Sequence, residues 1–291
     1  MSKYVESHPE ILKATQNPDG GWGYFPGKPS WLEPTAYALL ALAEERGPAV
    51  DRGWNLLRSW QRPDGAFRPC AAVDEPHWST SLVLTLACVR GRVTGVIDET
   101  FERGLRWLLS SAGVEGRPFF RLVHWLRPSI VEFDPSLTGW PWEVGASSWV
   151  EPTAHALMAL RCAARSVQGL DLAGRIAMTE RMLLDRRCRD GGWNFGNRRV
   201  LGSDLPSYPE TTALALMALD GHAAVRWGAA LEGVDCAWQQ TRSPLARAWL
   251  SSCLLTYRGM RPEPADRNGC AENDLLVTAI EGIRWDQILA A

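Results

Sequence analysis

Two kinds of apolar segment alternate along the chain. In Thr35–Glu45, 79–89, 152–164, 210–220 and 245–256 almost every position is apolar or small. In Arg52–Trp60, 98–110, 172–188 and 224–240 the apolar residues fall on one face, as with Trp54, Leu57 and Trp60. A helix that is apolar all round is covered on every side, whereas one with a stripe faces water. The pattern predicts two concentric layers of helices, the first kind inside the second. His8–Thr15 reads as a short leading helix, and Glu272–Ile288 as a final helix that closes the array. The connectors at 17–34, 63–77, 134–151 and 190–209 are long and rich in Gly and Pro, a length reserved for ordered or functional loops.

One phrase is written several times in these connectors. Asp19-Gly20-Gly21-Trp22 precedes Glu33-Pro34-Thr35-Ala36, Gly139-Trp140 precedes Glu151-Pro152-Thr153-Ala154, and Asp190-Gly191-Gly192-Trp193 precedes Pro209-Glu210-Thr211-Thr212. A weaker copy runs from Asp64-Gly65-Ala66-Phe67 to His77-Trp78-Ser79-Thr80. A repeated unit of this size predicts a stack or ring of helical hairpins, about five or six here. The copies are unevenly spaced. The widest gap holds 113–134, which reads as an insertion or a degenerate repeat within one domain spanning 1–291.

The turn Gln16-Asn17-Pro18-Asp19-Gly20-Gly21-Trp22 and the helix Thr212–Leu219 resemble the prenyltransferase and squalene–hopene cyclase repeat families. The resemblance extends over roughly residues 10–285. It implies an all-α fold, an α/α toroid with inner and outer rings of helices. It also implies an apolar central cavity that holds an isoprenoid chain. The Asp-x-Asp-Asp tetrad of the class II cyclases is absent, as is the Asp-x-Cys zinc pair of the protein prenyltransferases. The same toroid hosts carbohydrate enzymes, and a fold does not fix a chemistry. Three functions are therefore carried forward. The first is a terpenoid cyclase-like protein that binds an isoprenoid and starts cyclisation with an acid. The others are a non-catalytic lipid-binding or assembly subunit, and a carbohydrate-active toroid enzyme.

Composition narrows the partners. The 291 residues are 46% hydrophobic with a formal net charge of -2 and a pI near 6.2, which gives no general attraction to nucleic acid. The clusters Arg117/Arg121/Arg127 and Arg181/Arg186/Arg187/Arg189 read as solvated faces. Seven Cys without a close pair, and no apolar core in Met1–Ala14, point to reduced thiols in a cytoplasmic protein. No run is long and apolar enough to cross a membrane, though peripheral membrane contact remains open. No metal and no cofactor is expected, and the expected ligand is an apolar small molecule.

The candidate acids are Asp134, Glu151 and Asp204, with His155 one turn beyond Glu151 on the same helix face. Asp134 and Asp204 interrupt the repeat, and near an apolar cavity either carboxyl would have a raised pKa and could protonate an alkene. Both are also ordinary turn residues. Glu151 with His155 makes either an acid–base couple or a buried hydrogen bond. Glu33, Glu151 and Glu210 recur at helix starts, where they cap and anchor, or converge as acids at one rim. His77 stands near the position of these glutamates in its own copy. Trp31, Trp78, Trp149 and Tyr208 precede the buried helices. They are placed to ring a cavity and stabilise a cation, to stack a sugar, or to fill the rim. Phe120 and His124 are candidates for a pocket mouth.

Overall fold

The computed structural model describes residues 7–96, 99–126, 132–166, 171–262 and 274–290, without the side chains of 123–125 and 290. Numbered in chain order, the inner helices are α2 (Leu32–Ala41), α4 (Thr80–Thr94), α7 (Val150–Ser166), α9 (Pro209–Ala218), α11 (Pro244–Arg258) and α12 (Leu275–Gly282). Each packs on the next, and α12 packs back on α2, so the ring is closed. Outside it lie α1 (His8–Ala14), α3 (Pro48–Ser59), α5 (Glu99–Ser110), α8 (Ala173–Asp185) and α10 (Trp227–Gln240). The fold is an all-α, α/α toroid.

The two layers follow from the two patterns of side chains. Thr80 to Val89 of α4 are buried without interruption, as are Ala213 to Ala218 of α9. In outer α5 only one face is covered, through Phe101, Leu105 and Leu108. Small residues on the inner helices let the backbones approach, and the Leu side chains fill what remains.

The repeated phrase is a latch between layers. The backbone N–H of Trp22, Phe67, Trp140 and Trp193 donates to the hydroxyl of Thr35, Thr80, Thr153 and Thr212, at 2.9, 3.0, 2.9 and 2.9 Å. The carbonyls of the same four residues accept from the N–H of Trp31, His77, Trp149 and Tyr208. On the outer side, the indole N–H of Trp22, Trp140 and Trp193 donates to the carbonyl of Leu12, Leu108 and Leu183. Phe67 has no such donor. The turn itself needs glycine: Gly20, Gly65 and Gly191 have φ of 94°, 96° and 96°, and the preceding Asp accepts from the N–H two residues on.

Three elements depart from the expected string. Residues 113–134 include a helix, α6 (Pro118–Leu126), and begin with a 3-10 turn, Val114–Gly116. The carboxylate of Glu115 in that turn accepts from the Ser148 N–H at 2.9 Å, and the Ser148 hydroxyl accepts from the Gly139 N–H. An acid thus buttresses the Trp140 turn although no Asp precedes it. Between Trp193 and Tyr208 a two-stranded hairpin forms, β1 (Arg199–Val200) with β2 (Ser203–Asp204). It stretches the latch to 19 residues, against 13 in the other copies. Finally, the expected closing helix is two helices, α12 and α13 (Trp285–Ala290), separated by Ile283 and Arg284; Glu272 and Asn273 lie outside the described residues. Helix α13 lies against α11 and α7, and Cys162 and Arg165 of α7 donate to the carbonyls of Ile288 and Leu289. It closes the end of the ring where α7 finishes. The Arg186 side chain, expected on a solvated face, is only 2% exposed. Its guanidinium lies over the Phe133 ring and pairs with Asn197 and Glu115.

The latch predicts a specific stability loss. Thr153→Val leaves the Trp140 N–H buried without an acceptor and should lower the unfolding free energy by about 1–3 kcal/mol, read by urea denaturation. Thr153→Ser should recover most of it.

Candidate functional site at the mouth of the toroid

The axis of the ring is occupied by the protein itself. Tyr37 of α2, Trp78 before α4, His155 of α7, Trp249 of α11 and Trp285 of α13 are all buried. The Tyr37 hydroxyl and His155 Nε2 are hydrogen-bonded at 3.0 Å. Ring centroids step from Trp78 to His155 at 5.5 Å, His155 to Trp249 at 5.9 Å and Trp249 to Trp285 at 5.8 Å. Burial lowers the His155 pKa to about 3, so the imidazole is neutral. The recorded bond of His155 therefore runs across the ring to Tyr37, which makes it part of an aromatic column.

What remains open is the rim where the inner helices begin. Glu33, Glu151 and Glu210 stand in the first turns of α2, α7 and α9, each two residues before its latch threonine and each half-buried. Glu33 accepts from the Tyr24 hydroxyl at 2.7 Å. Its pKa is raised by desolvation, which that bond offsets in part. Glu151 is raised to about 8, first by desolvation and then by the negative charges of Glu33 and Glu210. A helix N-terminus favours the charged carboxylate, yet crowding and burial here win. At neutral pH the Glu151 carboxyl thus keeps its proton, the state a general acid needs.

Aromatic groups surround these acids. Trp31, Trp149 and Tyr208 stand immediately before α2, α7 and α9; Trp149 is 37% and Tyr208 44% exposed. Tyr208 packs on Phe195 at 5.2 Å, and Trp31 on Tyr24 at 6.2 Å. Gly196 lies under the Trp149 ring so closely that a Cβ there would be 3.2 Å from it, so the glycine lets the indole lie flat. Trp142, half-buried, packs edge-on to Trp78 at 4.8 Å and roofs the axial column.

The remaining candidates fall elsewhere. Asp134 is exposed and accepts from the Ser136 N–H at 2.8 Å; hydrogen bonding to Ser136, its side chain first and then this N–H, lowers the Asp134 pKa, the opposite of the expected rise. It is a turn residue. Asp204 is an exposed hairpin residue paired with Arg189 and Arg199, not an acid facing an apolar space. Phe120 stacks on Phe133 at 6.5 Å, beside Arg186. The side chain of His124 lies outside the described residues. His77 is not in the glutamate register: Trp78 lies two before Thr80, while the His77 N–H makes the bond that Trp31, Trp149 and Tyr208 make elsewhere. Burial lowers the His77 pKa to about 4, and its Nδ1 is bonded to the Ser79 hydroxyl at 2.7 Å. Sequence reasoning missed Tyr37 as the partner of His155. The signal was available, since both stand two residues beyond a latch threonine.

These features define an α/α toroid with a plugged axis and an acidic, aromatic mouth. No family model matches the chain. Among solved structures it is similar over its whole length to a family 8 endo-β-1,4-glucanase from an Achatina fulica gut metagenomic library, with TM-score 0.64, 14% identity and coverage of 100% of this chain and 99% of that one. The family 8 endoglucanase of Klebsiella pneumoniae is similar at TM-score 0.62, 15% identity and coverage of 98% and 99%. A type II terpene cyclase from Scytonema, bound to geranylgeranyl dihydroxybenzoate, matches at TM-score 0.54, 17% identity and coverage of 97% and 76%. At these identities the likeness is one of fold, shared by carbohydrate enzymes and terpenoid cyclases. In sequence, 63 residues are 48% identical to a drimenyl diphosphate synthase of Streptomyces showdoensis, covering 20% of this chain and 11% of that protein. A 59-residue match to the Streptantibioticus cattleyicolor enzyme is 46% identical. The matched segment thus spans about a tenth of these curated relatives. Among the described residues no helix is long and apolar enough to cross a membrane.

The charge state of the mouth has a measurable signature. A carboxyl whose folded pKa lies near 8 instead of 4.5 holds a proton that the unfolded chain has released. Its contribution to stability falls as pH rises across that window and levels off above it. The stability of Glu151→Gln relative to the parent should therefore increase from about pH 4.5 to about 8 and then stay constant, measured by urea unfolding at a series of pH values. A flat difference would remove the proposed proton.

Proposed function

We propose that the protein is a carbohydrate-active toroid whose mouth binds a sugar chain, with Glu151 as general acid and Glu210, at the start of the neighbouring inner helix, as the second carboxyl group of the site. The supporting observation is the Glu151 carboxyl, raised to about 8 among half-exposed aromatic rings. A group that keeps its proton at neutral pH suits protonation of a glycosidic oxygen as the bond breaks. It is a weak acid for an alkene, which accepts a proton far less readily than an ether oxygen. Trp149 and Tyr208 offer flat faces for sugar rings, and Trp31 extends the platform. The axial column of Trp78, His155, Trp249 and Trp285 occupies the space in which an isoprenoid chain was expected, so the ligand is assigned to the rim. The resulting steps are local. The sugar stacks, the Glu151 proton passes to the leaving oxygen as the glycosidic C–O bond breaks, and a water adds to the anomeric carbon as Glu210 takes up its proton.

Soluble β-1,4-linked oligosaccharides, assayed by release of reducing ends, test this reading. The parent protein should turn over and lose activity above about pH 8 as Glu151 ionises. Glu151→Gln should lower kcat by about 100-fold or more while the variant stays folded with the parent's circular dichroism spectrum. Trp149→Ala should raise KM more than it lowers kcat. Absence of sugar binding or turnover across β-glucans and xylans would overturn the assignment.

A second reading keeps the terpenoid class, favoured by the 63-residue match to drimenyl diphosphate synthase. In that version the apolar wall is the Trp142–Trp78 pair and the acid is again Glu151, with Trp rings stabilising a cation. A cyclised prenyl diphosphate formed from a linear one, detected as its alcohol by gas chromatography with mass spectrometry after phosphatase treatment, would select it over the first.

A further inference from the structure

Away from the acidic mouth, the chain builds a strongly basic cleft of about 740 Å³. Its walls are the turn after α8, the β1–β2 hairpin and the start of α10. Five arginines line it, Arg187, Arg189, Arg198, Arg199 and Arg226, against two acids, Glu132 and Asp204. The two acids are already engaged: Asp204 pairs with Arg189 at 3.2 Å and Arg199 at 3.9 Å, and Glu132 pairs with Arg199 at 3.4 Å. Arg199 also donates to the Gly202 carbonyl, and Arg187 is held by the Gly191 carbonyl and by the Trp193 ring. These contacts hold the arginines in place without neutralising them all. The side chains of Arg198 and Arg226 are exposed and, among the described residues, stand free of hydrogen bonds and ion pairs.

We propose that this cleft is a binding site for a phosphate group carrying two or more negative charges, as in a phosphate or diphosphate ester. The guanidinium fork matches phosphate oxygens two at a time. The cleft carries a local excess of three positive charges, five arginines against two carboxylates. One phosphate monoester brings roughly −2 at neutral pH, so a diphosphate complements the excess better than a single phosphate does. The basic surface is local and the whole chain has a net charge of -2, which matches a small anion and not an extended nucleic acid. The site is the product of two departures from the repeat. The hairpin supplies Arg198, Arg199 and Asp204, and the residues after α6 supply Glu132, whose N–H donates to the Arg199 carbonyl. This inference is independent of the acid mouth, because none of its residues is used there.

Isothermal titration of the full chain with inorganic pyrophosphate, phosphate and sulfate, at low and high sodium chloride, tests it. Pyrophosphate should bind at one site, about tenfold or more tighter than sulfate, and weaken as salt rises. The double variant Arg198→Ala/Arg226→Ala should lose about tenfold or more of that affinity while its melting temperature and its sugar binding stay as in the parent. Equal affinity for sulfate and pyrophosphate would overturn the proposal as adventitious ion binding. So would parental affinity in the folded double variant. Loss of β-glucan turnover in Glu151→Gln bears on the mouth alone and leaves this result untouched.

Discussion

The hydroxyl of a threonine in the first turn of an inner helix holds the toroid in register. Thr35, Thr80, Thr153 and Thr212 each accept from the backbone of an aromatic residue in the preceding turn. That aromatic side chain is wedged against the outer helix. Three of the four are Trp and tie themselves to an outer-helix carbonyl. One short contact thus fixes turn, inner helix and outer helix together. It also satisfies groups that would otherwise be buried without partners. Repeating it four times gives α2, α4, α7 and α9 the same direction and puts the starts of these four inner helices on one face.

That common direction makes the mouth a site. Residues just before and just inside each helix start are brought to a single rim, which is why Glu33, Glu151 and Glu210 interact although far apart in the chain. The repeat that would have added a fourth acid has Trp78 in its place, and Trp78 turns inward. Below it the axis is filled by Tyr37, His155, Trp249 and Trp285, with α13 beneath. Large aromatic side chains bury much apolar surface, so the plug stabilises the ring while it removes a deep hollow. The carboxyl groups and partly exposed aromatic rings are left at the rim, beside water.

Asymmetry enters where the repeat is broken. Glu115 reaches the Trp140 turn from outside the repeated phrase and is wholly buried beside Arg186. The hairpin lengthens the fourth copy and carries its arginines to one side. A perfectly regular ring would have presented equivalent rims all round; these two additions give one flank a basic cleft and leave the centre acidic. Opposite charges are thereby held on neighbouring parts of the molecule without cancelling.

The sequence by itself determined most of the helices and their two layers, because burial on all sides and burial on one side write different patterns; the toroid was implied by the resemblance of its repeated phrase. It also placed Glu151, Trp149 and Tyr208 at helix starts, since the Pro and Thr beside them mark those starts. It could not distinguish Asp134 or Asp204 from a buried acid, for both are short-range turn residues whose surroundings come from distant segments. The register of Tyr37 and His155, each two residues beyond a latch threonine, put both at one level of the ring, but their bond across 118 residues and the filling of the axis were left to the closed ring. Those outcomes depend on which side chains cross the ring once it closes and how much solvent they displace. Local pattern selects the elements, while the electrostatic state of a group such as Glu151 depends on charges and burial that only the closed ring brings together.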